Sequence, residues 1–317
     1  MATSHLAEAI TDLGELCQVL KLPKIDAADA HSVYPLLVPR NYIDKIEKGN
    51  INDPLLLQIL PQNKELDHVP GFTADPLGEM RPTCSLKPGI VQKYHGRALV
   101  LATNSCAVHC RYCFRRGRKE GFLSDDCDFT DIPVSEIILS GGDPLALSDR
   151  EFGNIVAKIK QNRSVKIIRI HTRFPVMTPN RITDELISVL SDNSQVVFYM
   201  VLHINHPREI DEAFLEKVSR LSNHGVPLLS QTVLLRNVND DFSTLYELFS
   251  RLISVRIIPY YLHQLDRVSG ASHFEVAASK GLELIKLLKE HLPGYAIPRY
   301  VREIPDAPFK SEHEAEL

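Results

Sequence analysis

ALVLAT at 98–103, with NSCAVHCRYC following it at 104–113, decides how this chain folds. The first six residues read as a buried strand, and three cysteines lie just beyond its end. Similar apolar runs recur: EIILSG (136–141), VKIIRI (165–170), VVFYMVLHI (196–204), VPLLSQTVLL (226–235) and VRIIPYYLHQ (255–264). Near-continuous hydrophobicity suits strands covered on both faces, as parallel strands are. Amphipathic segments alternate with them at 151–161, 182–192, 211–225 and 273–292. After the first gap the strand starts recur about every 30 residues, the length of one βα unit. Six units without a seventh or eighth predict an α/β fold, a partial (βα)6 TIM-like barrel with an open side. A doubly wound open sheet has the same spacing and stays as the alternative.

The flanks read differently. Residues 1–90 hold short helical patterns such as EAITDLGELCQVL and NYIDKIEKG between proline-bearing loops, and are expected to form a helical extension packed on a barrel of residues 91–292. Residues 293–317 contain four prolines and no helical period, and read as an extended C-terminal tail.

With 317 residues, 44% of them apolar and 24% charged, the chain can bury a large core. A net charge of −4 argues against a general nucleic-acid or anionic-membrane binder. The N-terminus lacks the apolar core of a signal peptide, and no apolar run reaches the roughly 18–20 residues of a membrane span. A cytoplasmic location is the expectation. Six cysteines could pair as three disulfides, but a chain this large that reads as cytosolic does not need them. Cys17, Cys84 and Cys127 are scattered and read as small buried groups.

Cys106, Cys110 and Cys113 fall within eight residues, at a strand's C-terminal end, where catalytic groups of βα folds gather. Closely spaced thiolates can hold an iron–sulfur cubane, and three of them leave one iron free for a small molecule. Zinc is the competing metal. It asks for four ligands, and His109 would have to be the fourth at an unfamiliar spacing. The second strand ends in Ser140-Gly141-Gly142-Asp143, glycines that permit close backbone approach or positive φ.

The CxxxCxxC spacing with Tyr112 before the last cysteine resembles the radical S-adenosylmethionine signature. Ser140, Gly141, Gly142 and Asp143 resemble the motif that holds the methionine end of that cofactor. CRYCFRR (110–116), SGGDPL (140–145), HTRFPVMTP (171–179), HINHPREI (203–210), SQTVLLRNVND (230–240) and PYYLHQLD (259–266) together resemble the lysine 2,3-aminomutase family of radical enzymes over roughly residues 35–310. The tail REIPDAPFKSE is closer to the branch that makes (R)-β-lysine for modifying elongation factor P.

The resemblance implies three cofactors: a [4Fe–4S] cluster on Cys106, Cys110 and Cys113, S-adenosylmethionine, and pyridoxal phosphate. Lys310 matches the lysine that carries pyridoxal phosphate, and Lys93, Tyr94 and Arg97 match residues beside it. Gln231 and, more weakly, His203 match positions near S-adenosylmethionine; a satisfied core histidine is the other reading of His203. Arg115 matches the arginine that takes the substrate carboxylate, although its run RRGRK would otherwise read as a solvated basic face. Asp266 and Glu303 match the acids that grip the substrate ε-ammonium. Two departures stand out. Glu303 replaces an aspartate, and Pro-Asp-Ala-Pro-Phe at 305–309 replaces a glycine-rich run before Lys310.

The implied reaction is the 2,3-migration of the amino group of free L-lysine, by an isomerase fed electrons by a flavodoxin or ferredoxin. A homo-oligomer is the family expectation, with no nucleic-acid or membrane partner. A glutamate aminomutase is disfavoured by the two acids. A radical enzyme without pyridoxal phosphate, such as a glycyl-radical activator, and a non-enzymatic zinc module are the remaining rivals.

Overall fold

A computed structural model describes residues 9–313. The first eight residues, part of the stretch read as lacking a signal peptide, and the last four of the tail lie outside the described residues. The expected strands form at β3 (Arg97–Thr103), β4 (Glu136–Gly141), β5 (Ile167–Thr172), β6 (Val197–His203), β7 (Leu228–Val233) and β8 (Ile257–His263). Neighbours pair in parallel, in chain order. A doubly wound sheet reverses its order at a switch point. No reversal occurs here, so the barrel reading stands.

The sheet extends past both ends of that set. Before it, β1 (Ser85–Lys87) and β2 (Ile90–Tyr94) add antiparallel strands on the β3 edge. After it, the tail contributes β9 (Arg299–Arg302), parallel to β8, and the short antiparallel β10 (Ser311–Glu312). The tail is therefore paired and supplies a seventh parallel strand. In a flat sheet β2 and β9 would lie about 34 Å apart, at seven strand spacings. Instead Lys93 on β2 forms an ion pair with Glu303, one residue past β9. That contact requires the sheet to curl and bring its two edges together.

Helices α1 (Leu13–Val19), α2 (Ala28–Val33), α3 (Arg40–Ile43) and α4 (Pro54–Leu57) precede the sheet. Within the barrel come α5 (Asp149–Gln161), α6 (Phe174–Met177), α7 (Asp184–Ser191), α8 (Glu212–Asn223), α9 (Phe242–Ser254) and α10 (Ala278–His291). Ser148 caps α5 in a reciprocal box with Glu151, while Thr183, Asp211 and Asp241 accept from the first turns of α7, α8 and α9. Residues of the N-terminal extension such as Leu16, Tyr42 and Leu55 share one continuous apolar core with outward strand residues such as Ile168, Ile170 and Met200. Of the scattered cysteines only Cys17 is buried; Cys84 and Cys127 are half-buried. Among the described residues no helix is long and apolar enough to cross a membrane.

Strand β9 is held against the barrel by α10. Gly281 faces Tyr300, whose hydroxyl donates to Gln264 Oε1, and a Cβ at 281 would run into the phenol. Gly281→Ala is expected to destabilise the fold by ~1–3 kcal/mol through overpacking, read as a lowered melting temperature. An unchanged melting temperature would mean that Tyr300 is not fixed there.

Candidate active site

The barrel encloses a cavity of about 840 Å³, walled by residues from β2 round to β10. Side chains alternate between the two faces of a strand, so every second residue points inward. On β5, Ile168 and Ile170 face the helices while Arg169 and His171 face the lumen. The inward positions near the C-terminal strand ends are thus polar. Apart from His109, each candidate residue singled out in the sequence lines this cavity.

Cys106, Cys110 and Cys113 sit on the irregular loop after β3, and the N-terminal extension holds that loop. His109 N–H donates to Leu37 O (3.0 Å) and Arg111 N–H to Gln58 O (2.9 Å). Arg111 is fully buried and forms two parallel hydrogen bonds to Glu65, at 2.9 and 2.6 Å, with a third to Tyr34 O at 2.7 Å. Arg116 pairs with the same Glu65 carboxylate. Both guanidinium groups lie over the Tyr34 ring, at 4.7 and 4.6 Å. His109 Nδ1 bonds Pro35 O at 2.8 Å and its ring stacks on Tyr34, so this histidine is a structural tie. Burial and then the proximity of Cys110 push the Cys113 thiol up to about 11; burial and then Cys113 push Cys106 well up. The three thiols thus stand within electrostatic reach of one another.

The strand-end glycines press on this loop. Gly141 has φ +113° and a Cβ there would lie 2.7 Å from Thr103 O, while one at Gly142 would strike Ser105 O. Gly142 N–H donates to Thr103 O and Asp143 N–H to Ser105 O, at 2.7 and 2.8 Å. What these glycines approach is the backbone of the cysteine loop. The Asp143 carboxylate turns into the β5–α6 connection, accepting from Thr172 Oγ1 and Arg173 N–H at 2.7 Å and from Leu145 and Phe174 N–H. Burial nevertheless raises Asp143 to about 6, against the pull of those bonds.

Across the lumen, Glu303 bridges the ammonium groups of Lys310 and Lys93. Burial pushes Glu303 up, but the two cations outweigh it and hold it at about 2. Asp266, half-buried, is driven the other way: burial and then the Glu303 charge raise it to about 7. Arg97 stands over the Tyr94 ring at 5.6 Å. His203 bonds Tyr112 Oη at 3.1 Å, and burial, then Arg173, lower it to about 3. Gln231 lines the wall from β7.

Three groups escaped the sequence reading. Glu79 grips Arg115 through two bonds of 2.7 and 2.8 Å, while Arg115 also donates to Ser140 Oγ at 3.0 Å. Arg115 and Arg116 are therefore tucked inward; they form no solvated face. Arg173 donates to Cys110 Sγ at 2.8 Å. His171 lines the lumen with Nε2 unpartnered, as is Tyr94 Oη. These pairings join residues far apart in the chain and leave no spacing pattern to detect, although Arg173 lies inside the quoted HTRFPVMTP block.

A partial βα barrel with a thiol-bearing loop at its first parallel strand end, over a charged lumen, has its polar groups where βα-barrel enzymes place their active sites. No protein-family model matches the sequence. The chain is 39% identical to L-lysine 2,3-aminomutase of Escherichia coli (strain K12), over 99% of this chain and 94% of that one. It is 40% identical to the Haemophilus influenzae protein of the same name, over 96% and 93%. The protein of that name from Clostridium subterminale is 35% identical over 94% of this chain and 73% of its own. Among solved structures, a radical SAM methyltransferase from Sphaerobacter thermophilus aligns with TM-score 0.48 and 16% identity, over 67% of this chain and 68% of that one. The chain belongs to the lysine 2,3-aminomutase family, a family of isomerases.

Glu65 is the carboxylate on which the cysteine loop hangs. Glu65→Ala leaves two buried guanidinium groups without their carboxylate and is expected to cost about 3–5 kcal/mol, read as a lowered melting temperature. A variant that melts like wild type would remove Glu65 from this role.

Proposed function

We propose that this protein is a radical S-adenosylmethionine and pyridoxal phosphate-dependent 2,3-aminomutase that converts L-lysine to (R)-β-lysine. One observation carries the reading: the three thiols, the cationic Lys310 and the acids Asp266 and Glu303 share a single lumen. Cys106, Cys110 and Cys113 would hold three irons of a cubane and leave the fourth open to S-adenosylmethionine, and the pair would supply a hydrogen-abstracting radical. Such a cluster puts its ligands on separate irons. Among the described residues no three His, Cys, Asp or Glu side chains are grouped as ligands of one ion would be. With His109 tied to Pro35, the thiol loop suits the cluster better than a lone zinc.

The wall suits pyridoxal phosphate as well, the group that supplies a π-system able to carry a migrating amine. Lys310 would hold it, with Arg97 and Lys93 as cations for the phosphate. Tyr94 Oη and His171 Nε2 are buried polar atoms without partners, ready to bond a guest. Glu303 and Asp266 bind and orient an ammonium terminus and repel a carboxylate one, which favours lysine over glutamate. Glu303 now holds Lys310 and Lys93, and Glu79 holds Arg115, so these three cations keep a counter-charge until substrate arrives. The α-carboxylate of lysine would meet Arg115 in exchange with Glu79. The S-adenosylmethionine end would lie along Ser140, Gly141, Gly142 and Gln231, with Asp143 bracing the loop and His203 kept neutral on the wall.

The proposal extends to a cytoplasmic setting, which suits six unpaired cysteines. It extends also to an electron supply from flavodoxin or ferredoxin, to homo-oligomers, and to delivery of β-lysine for elongation factor P. The tail REIPDAPFKSE supports this last step by its resemblance to that branch.

Anaerobic reconstitution with iron, sulfide and pyridoxal phosphate, followed by incubation with S-adenosylmethionine, a reductant and lysine, is expected to yield β-lysine. An iron-loaded, pyridoxal-loaded protein that leaves lysine unchanged would reject the assignment. The pH dependence is a finer check. Asp266 titrates near 7 without substrate, so below that pH it is neutral and loses its grip on the ammonium. The KM for lysine is expected to rise as pH falls through about 7, and Asp266→Asn to give a high KM without that step. A flat profile in wild type would rule out an ionised Asp266 as a substrate partner.

A further inference from the structure

Arg173 takes no part in the substrate contacts proposed above, yet it is among the most heavily bonded side chains in the protein. It follows β5 directly, and its side chain is 6% exposed. Nη1 donates to Cys110 Sγ at 2.8 Å and to Tyr112 Oη at 2.6 Å; Nη2 donates to Gln58 Oε1 at 2.6 Å and to Glu209 Oε1 at 2.7 Å. Glu209 is wholly buried and accepts further bonds from Asn205 N–H and Gln58 Nε2. The fork is thus aimed from behind by groups that cannot move independently. A neutral thiol is a weak acceptor, whereas a thiolate facing a guanidinium makes a charge-assisted bond. Among the described residues, neither Cys106 nor Cys113 accepts a hydrogen bond from a cationic side chain.

We infer that Arg173 is a positioning residue for the iron–sulfur cluster: braced by Glu209 and Gln58, it orients Cys110 and raises the cluster's reduction potential. The inference rests on the cluster reading above. Reduction adds one electron from an external low-potential donor, taking the cluster from the 2+ to the 1+ state. No proton moves and no bond forms or breaks. The added negative charge spreads over iron and sulfur, so a fixed cation bonded to one ligand sulfur favours the reduced form. Because Gln58 belongs to the N-terminal extension, that segment then bears on the cluster's potential as well as on its loop.

The test is a redox titration of the anaerobically reconstituted full chain, with dithionite as donor and the paramagnetic signal of the reduced cluster as readout. Removing the arginine alone would strand a buried carboxylate, so the main variant is Arg173→Gln with Glu209→Gln. Iron and sulfide content near wild type is expected, with the equilibrium for reduction weakened about tenfold, ~59 mV downward for a one-electron couple. Should that pair not fold, Arg173→Lys serves instead. A single ammonium cannot bond both Glu209 and Cys110 as the fork does, and a smaller downward shift is expected. An unchanged potential in whichever variant folds and loads iron overturns the inference alone. A wild-type protein that assembles no cluster overturns the reading beneath it, and the inference with it.

Discussion

One buried carboxylate holds the reactive part of this molecule in place. Glu65 receives the full fork of Arg111 and a second guanidinium from Arg116, with all three side chains almost sealed from water. Two cations and one anion in such a setting lose much hydration, which their mutual bonds, backbone carbonyls and the Tyr34 ring offset. The bonds are therefore unforgiving. They set the path of a cysteine loop that has no helix or strand of its own. Everything the loop presents to the lumen depends on a residue from the N-terminal extension, 46 positions earlier in the chain than Arg111.

The extension is then more than a cover. It contacts the loop through Tyr34, Pro35, Leu37, Gln58 and Glu65, and reaches the turns after β5 and β6 through Lys45, which donates to Val176 O and Glu209 O. These turns all lie at C-terminal strand ends, where the barrel opens. From the opposite side the tail returns as β9 and sets Glu303 against Lys93 and Lys310. The two flanking segments thus enclose the lumen from either edge, and part of its charge is paired locally, Lys93 and Lys310 with Glu303 and Arg115 with Glu79. Burial keeps His203 and His263 neutral, each near 3, so they add no further cation to the wall.

Much of this was legible in the sequence because the strands' outward faces are strongly apolar. Phe198, Met200 and Leu202 on β6 pack against helices whatever the lumen holds, and they dominate the pattern. The inward alternation of Arg169, His171 and His203 is diluted by those neighbours, so a two-faced burial reading overlooked it. β9 escaped because Arg-Tyr-Val-Arg is short, has charged ends and lies between prolines, which hides the strand pattern. The cysteine loop and its resemblance drew attention to the candidate residues, but not to what braces them. Glu79 lies 36 residues from Arg115, and Arg173 lies 63 residues from Cys110. Such ion pairs are made by the fold, and local sequence carries no trace of them.

On the function proposed above, the clamped loop turns its three thiols onto one iron–sulfur cluster inside the barrel. An iron anomalous difference map from a crystal of the anaerobically reconstituted protein tests it most directly. One compact multi-iron peak bonded to Cys106, Cys110 and Cys113 is expected, with Arg173 against Cys110 and His109 still bound to Pro35. A single-metal peak that recruits His109, or iron bound away from the lumen, would contradict it.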